Sequence, residues 1–191
     1  MTRDSRAPGL LMIRYCMAQL YGATERAISV LRPSSQQVEI AHTVLYFLAR
    51  ACACQWAAYW APDAVPRRLR PIAIWSTASL GAVPLACDLR RRPLSMSLAK
   101  ARQVWRSRLP LWSSRSALKV SPPRQRHVAE VGSQAAVWFA VQTGTAVYGV
   151  IELRARAADS KAPDSLAAFE RLGYRLGGAI EELLDARTAL H

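Results

Sequence analysis

The stretch "SQAAVWFAVQTGTAVYGVIELRAR", residues 133–156, constrains this chain more than any other. Two runs of β-branched, aromatic and small apolar residues flank a "QTGT" link. Gly144 in that link is the residue type that most readily takes the positive φ a tight turn favours, so the stretch reads as a β-hairpin. In the first strand Ala135, Val137, Phe139 and Val141 point one way, and Ala136, Trp138 and Ala140 the other. Strand side chains alternate with a period of two, so this strand is apolar on both faces and both must be covered.

Helices at the two chain ends supply one cover. Ile13, Met17, Leu20, Thr24, Ile28 and Leu31 form a stripe at spacings of three and four, which predicts a helix over 10–31 that Pro33 ends. Ser34 and Gln37 form a capping box for a second helix, with Val38, Ala41, Val44, Leu45 and Leu48 on one face and an end near Ala53. At the other end Pro163 and Asp164 open a helix over 163–188. Its stripe, Leu166, Phe169, Leu172, Leu176, Ile180 and Leu183, is close to a heptad repeat.

Between these ends the period changes. "QWAAYWAP" and "LRPIAIWST" read as two strands joined by "DAVPRR", with Pro71 marking an edge strand or an irregular start. Residues 78–96 read as a loop. Residues 97–108 read as a helix through Leu98, Ala101 and Trp105, ended by Pro110, and "LPLWSS" as a further strand. Residues 115–126 form a basic loop, followed by a short helix around 126–131. The order predicts an α+β fold: a central antiparallel β-sheet of about five or six strands, with the N- and C-terminal helices packed on one face. The cover on the other face must then come from the middle third of the chain.

Charge singles out the same middle third. The net charge is +13, and residues 67–126 hold fourteen Lys or Arg against a lone acid, Asp88. A solvated face, a small anionic ligand or acidic partner protein, and nucleic acid bound through phosphates all fit such a surface. Arg90, Arg91 and Arg92 are consecutive, which suits an exposed loop. In "RQVWRSRLPLWSS" Arg106 and Arg108 are expected toward solvent and Arg102 toward the interior. The apolar run near the N-terminus is too short for a signal peptide, and "TVLYFLARACACQWAAYWA" divides into a helix and a strand rather than a membrane span. A soluble, cytoplasmic protein is expected. Cys16, Cys52, Cys54 and Cys87 show no CxxC pair or Cys/His metal spacing and read as buried thiols in a reducing compartment.

The order of pieces resembles a GAF domain over about residues 35–186. "ACACQWAAYWAPDAVPRRLRPIAIW" is similar to the family's tryptophan-ended strand pair. "ARQVWRSRLPLWSS" resembles its helix-then-strand passage, "AAVWFAVQTGTAVYGVIELRAR" its strand–turn–strand carrying G-V-(I/L)-E, and "APDSLAAFERLGYRLGGAIEELL" its closing helix. The resemblance implies a GAF-like domain over 35–191 behind a helical extension over 1–34. It also implies a ligand cavity between the sheet and the crossover segment. Trp75, Cys87, Arg102, Trp105, Trp112 and Trp138 are the candidate lining residues, while Trp56 and Trp60 read as core. The chain departs from the family at Ala99 and Arg102, where many members of this branch have glycine. It lacks the Asn-Lys-Phe-Asp-Glu signature of cyclic-nucleotide GAF domains and the cysteine signature of the GAF-fold methionine sulfoxide reductases. No bilin-cysteine pattern is present, Cys87 being the nearest by position.

No catalytic set emerges. His42, His127 and His191 are scattered, adjacent Glu181 and Glu182 point apart on a solvated helix, and no phosphate-binding glycine motif is present. No metal site and no cofactor is assigned. The sequence therefore predicts a non-catalytic sensor or regulatory module that binds a small molecule or partner and signals through its terminal helices as a homodimer. A nucleic-acid-associated basic protein is the alternative, and a divergent methionine sulfoxide reductase the second.

Overall fold

The computed structural model describes residues 8–54, 56–64, 68–76, 95–114, 135–155 and 166–189. Its elements are α1 (Pro8–Val30), α2 (Gln37–Ala51), β1 (Trp56–Pro62), β2 (Leu69–Ser76), α3 (Ser95–Ser107), β3 (Leu111–Ser114), β4 (Ala135–Gln142), β5 (Val147–Ala155) and α4 (Leu166–Thr188). The strands form one five-stranded sheet in the order β2-β1-β5-β4-β3, with every neighbouring pair antiparallel. The fold is α+β, as the sequence predicts. Of the loop expected over 78–96, residues 78–94, including Cys87, lie outside the described residues, and Ser95 and Met96 instead form the first residues of α3. The loop over 115–126, the helix around 126–131 and His127 also lie outside the described residues.

Every residue of β4 is buried, because the strand is covered on both sides. Val137, Phe139 and Val141 face the layer of α2 and α4, while Ala136, Trp138 and Ala140 face α3. Helix α1 packs on α2 and α4 rather than on the sheet, yet its Leu20, Ala23 and Ala27 belong to the same core as Phe139 and Ile151. The segment read as an extension thus contributes to the main core. Its surface contacts with α4 are polar: Arg175 donates to both carboxylate oxygens of Glu25 at 2.8 and 2.9 Å, and Arg171 donates to the Tyr21 hydroxyl at 3.1 Å. The Arg175 guanidinium holds the exposed Glu25 carboxyl below its ordinary pKa, a pair that solvent leaves worth little.

The start of α2 differs from the sequence reading. The Glu39 carboxylate accepts from the Gln36 backbone N–H at 2.9 Å, so the cap forms two residues later than Ser34 would place it. The Ser34 neighbour, Ser35, instead accepts from the Arg32 N–H at 3.2 Å in the turn between the helices. Pro71 does sit on an edge strand. The β1–β2 register slips there, pairing Tyr59 with Ala73 and Trp60 with Pro71. A bulge at the edge accommodates a residue that has no N–H to give.

Helix α4 approaches β4 through glycine. A Cβ on Gly173 would overlap the Ala140 carbonyl oxygen, and one on Gly177 the Gln142 carbonyl oxygen. The near-heptad stripe of this helix is spent here: Phe169, Leu172, Leu176 and Ile180 are buried within the chain, with the Phe139 and Phe169 rings 5.4 Å apart. On the same side of the sheet Gly149 leaves room for the Tyr59 ring, which a Cβ would strike. Burial raises the Tyr59 phenol well above its ordinary value. Below pH 10 both native and unfolded states hold the proton, so the phenol leaves stability untouched. Above pH 10 the unfolded chain releases it first, and stability falls by up to about 1.4 kcal/mol per pH unit. Urea titrations of wild type and Tyr59→Phe should therefore diverge between pH 10 and 11 in favour of the variant. A difference that stays constant from pH 9 to 11 would contradict this.

Candidate functional site

The α3 face of the sheet carries the features that a plain core does not need. On β1 it presents Trp56, Ala58 and Trp60; on β4, Ala136, Trp138 and Ala140; between them β5 presents Arg154, Glu152 and Val150. The registers set these in three rows: Trp56–Arg154–Ala136, Ala58–Glu152–Trp138 and Trp60–Val150–Ala140. Tryptophan and alanine alternate in a checkerboard, each large ring on one outer strand level with a methyl group on the other. Ala101 and Val104 of α3 are buried against this surface, with Leu98 and Trp105 half-buried beside them.

Two charges lie in the middle of the face. Glu152 is fully buried and Arg154 is 3% exposed. Positions two apart on a strand share a face, and here the Arg154 Nε and Nη2 both reach the Glu152 Oε1, at 2.7 and 2.6 Å. Ser97 of α3 closes the network: its hydroxyl donates to Glu152 Oε1 at 3.2 Å and accepts from Arg154 Nη2. Trp60 Nε1 donates to Glu152 Oε2 at 3.0 Å, and the Arg154 guanidinium lies 4.6 Å from the centre of the Trp56 ring. Desolvating two charges costs several kcal/mol per ion, which only such complete hydrogen bonding offsets. On the same face Trp56 Nε1, Trp138 Nε1 and Ser113 Oγ are buried without a partner, as is Trp112 Nε1 on the opposite face.

The candidate residues divide between the two faces. Trp138 and Trp105 belong to the α3 face, and Arg102 of α3 is half-buried, its Nε without a partner. Trp75 and Trp112 pack against the opposite core, level with Ala57 and Val137, so the sheet separates them from the other three. Trp56 and Trp60, read as core, are buried on the α3 face. Glu152, Arg154 and Ser97 were missed; the available signal was a pair of opposite charges two apart in a strand expected to be covered on both sides.

Arg108 corrects another expectation. It has φ 61° at the end of α3, and its guanidinium donates to the carbonyls of Gly144 and Thr145 at 3.0 and 3.3 Å. Its own carbonyl accepts from Gln142 Nε2 at 3.1 Å. Rather than reaching into solvent, it fastens α3 to the β4–β5 turn. On the far side of that turn Thr143 and Tyr148 donate to Glu181 of α4 at 3.2 and 2.9 Å. Burial and this carboxylate raise the Tyr148 phenol's pKa. Glu181 is thus a tether, while Glu182 is exposed.

A groove of about 740 Å³ lies between α1 and α2, lined among others by Gly22, Arg26, Tyr46, Phe47 and Arg50. Arg50 donates to the Tyr46 hydroxyl at 2.8 Å and covers its ring, and the lining includes no carboxylate. Among the described residues no three His, Cys, Asp or Glu side chains gather as a metal site, and no helix is long and apolar enough to cross a membrane. Cys54 is buried in the helix-side core, across the sheet from Glu152 and Arg154.

No protein-family model matches the chain, and no curated protein matches it. Solved structures do. The GAF domain of A. aeolicus nlh2, in an inactive state, superposes with TM-score 0.59 at 15% identity, covering 89% of this chain and 98% of that one. The GAF domain of the Coxiella burnetii phosphoenolpyruvate-protein phosphotransferase gives 0.60 at 12% identity, over 93% and 98%. The free methionine-R-sulfoxide reductase of Neisseria meningitidis, solved with its substrate, gives 0.60 at 12% identity, over 97% and 98%. The five-stranded antiparallel sheet between a helix layer and α3 is a GAF-like fold. That fold carries sensors and reductases alike, so chemistry must be read from the site itself.

Proposed function

We propose that the chain is a non-catalytic sensor or regulatory module that binds a small molecule on the α3 face. The observation that carries this reading is the set of buried, unpartnered polar atoms around the Glu152–Arg154 pair. A face designed only for packing would bury apolar groups there, since each unmade hydrogen bond costs about 1–3 kcal/mol. The described part of the face offers neither a thiol nor a histidine, so it supports binding rather than turnover. Native mass spectrometry of the purified chain tests it. The expected result is a mass increment that disappears on denaturation and is lost when Ala136→Leu fills the face. If wild type carries nothing and no metabolite mixture raises its melting temperature, the reading falls.

Output is assigned to the helix layer. The α4 stripe is used inside the chain, so a homodimer would pair outer surfaces, where Val30, Val38, Tyr46 and Tyr174 are exposed. The basic groove between α1 and α2 suits an acidic segment of a partner protein. Light scattering behind size exclusion should give the mass of two chains at tens of micromolar; the mass of one chain would remove the dimer from this proposal. Nucleic-acid binding that persists at ~150 mM salt with sequence preference would favour the basic surface instead.

A further inference from the structure

We infer that the groove between α1 and α2 is the docking site for an acidic amphipathic helix of a partner protein. This deepens the output part of the sensor reading and rests on that part, not on a ligand at the α3 face. The groove is open along its length: Ala18, Gln19 and Arg26 on the α1 wall, and Tyr46 and Arg50 on the α2 wall, are exposed. Its half-buried lining residues, Gly22, Phe47 and Ala51, make an apolar floor. Gly22 sets the depth. Contact explains the glycines at the sheet, where a Cβ on Gly149, Gly173 or Gly177 would strike Tyr59 or the β4 backbone. A Cβ on Gly22 would meet, outside its own helix backbone and among the described residues, only the end of the Arg26 side chain at 3.4 Å. Glycine weakens a helix interior, and no described residue fills the space that this one leaves. Gly178 is open as well; what distinguishes Gly22 is its place in a groove beside two arginines.

Charge sets the class of partner. Over the described residues of α1 and α2 the carboxylates are Glu25 and Glu39. Arg175 of α4 holds Glu25, and Glu39 accepts from the Gln36 N–H. Neither Arg26 nor Arg50 forms an ion pair with a described residue. Arg50 donates to the Tyr46 hydroxyl and lies 5.4 Å from the centre of that ring, which leaves it further donors to use. A guanidinium fork matches a carboxylate in geometry as well as in charge. The apolar floor selects among carriers of such charge. A nucleic-acid strand held through its phosphates would leave Phe47 and the small residues uncovered, whereas the apolar side of an amphipathic helix covers them. The outer row of α2 prolongs the track. Val38, His42, Tyr46 and Arg50 are exposed at a spacing of four, along about 18 Å of helix. Rows at that spacing are the ridges against which another helix packs. The fitting partner therefore carries acidic residues on the flanks of an apolar stripe.

The test is fluorescence polarisation of the full chain with labelled peptides of roughly 18 residues, enough for about 27 Å of helix. The peptides share one leucine–alanine stripe and carry glutamate, glutamine or lysine on its flanks; a labelled single-stranded DNA is the remaining probe. In ~150 mM salt, which screens distant charges, the glutamate peptide should bind about tenfold or more tightly than the glutamine peptide, and the lysine peptide not at all. Gly22→Leu should weaken the glutamate peptide about tenfold or more by filling the groove, without lowering the melting temperature, because its side chain enters open space. Arg26→Gln and Arg50→Gln should each weaken it severalfold and together erase its advantage over the glutamine peptide, a readout that holds even if Gly22→Leu disturbs α1. Arg106→Gln removes the same charge from an exposed site on α3, across the sheet, and should change nothing.

Equal binding of the glutamate and glutamine peptides overturns the acidic class. A loss with Arg106→Gln as large as that with Arg50→Gln overturns the groove, the attraction then being to net charge. DNA that outbinds and displaces the glutamate peptide makes the surface a nucleic-acid site and overturns the partner. If Gly22→Leu turns a dimer into single chains, the occupant is a second copy and the partner helix is again overturned. Failure of every peptide to bind a dimeric chain removes this inference and leaves the output reading; failure with a single-chain mass removes both. The mass increment assigned to the α3 face is independent of all these results.

Discussion

Gly177→Ala should lower the stability of the domain by about 3 kcal/mol or more, a fall in melting temperature of about 6–12 °C for a chain of this size. The added methyl group has nowhere to go. Its position overlaps the Gln142 carbonyl oxygen and lies close to that residue's carbonyl carbon and nitrogen, and backbone held in the β4–β5 ladder cannot swing aside as a side chain can. Gly173→Ala should behave alike against Ala140. The neighbour supplies the control. A Cβ on Gly178 meets nothing within 4 Å, so Gly178→Ala should stabilise by about 0.5–1 kcal/mol through helix propensity alone. Thermal and urea unfolding of the three variants decides the matter. A neutral Gly177→Ala would mean that α4 rides higher over β4 than described. The pairing has a simple metric. Four residues of helix rise about 6.0 Å and two residues of strand about 6.8 Å, so glycines four apart meet carbonyls two apart along β4.

Glu152→Ala and Arg154→Ala should each cost about 3–5 kcal/mol, because either one leaves the other charge buried without its partner. Arg154→Ala also removes the cation from the face of Trp56. The informative variant is the double one. Glu152→Leu combined with Arg154→Met should lose less than either single replacement, since no orphaned charge remains. If the effects of the singles instead sum in the double, the two side chains act independently and the described ion pair does not form. The double replacement also separates stability from function: it should retain the fold and lose the small-molecule increment, because Arg154 stands on the proposed binding face. Urea unfolding and native mass spectrometry on the same three proteins give both readouts.

Much of this architecture is legible in the sequence where one element carries its own evidence. The β4–β5 hairpin announces itself because both faces of β4 are apolar. The edge position of β2 follows from Pro71, which cannot donate into a ladder. What fails is inference about partners. The α4 stripe marks which side of the helix is buried, but its period does not say against what, and a seam expected between two chains turned out to lie on β4. Arg108 looked solvent-bound because the carbonyls it reaches, at Gly144 and Thr145, stand 36 and 37 residues further along. The site is hardest. The checkerboard of tryptophan and alanine exists only once β1 and β4 are set in register on either side of β5, pairing Trp56 with Arg154 and Arg154 with Ala136. The same missing registers hid the parity that puts Trp75 and Trp112 on the other side of the sheet from Trp138.

The turn between β4 and β5 is held from both sides, by Arg108 at the end of α3 and by Glu181 of α4. The sheet itself is a stiff plate with a different layer on each surface, and tightly packed interiors transmit little by bending. Here the layers are stitched together around the plate's rim instead. A displacement of α3 would pull on the four residues of the turn, and one of them, Thr143, grips the helix on the opposite surface directly. The tip of a hairpin, ordinarily the part of a sheet with least to lose, becomes the short leash by which one side of this molecule feels the other.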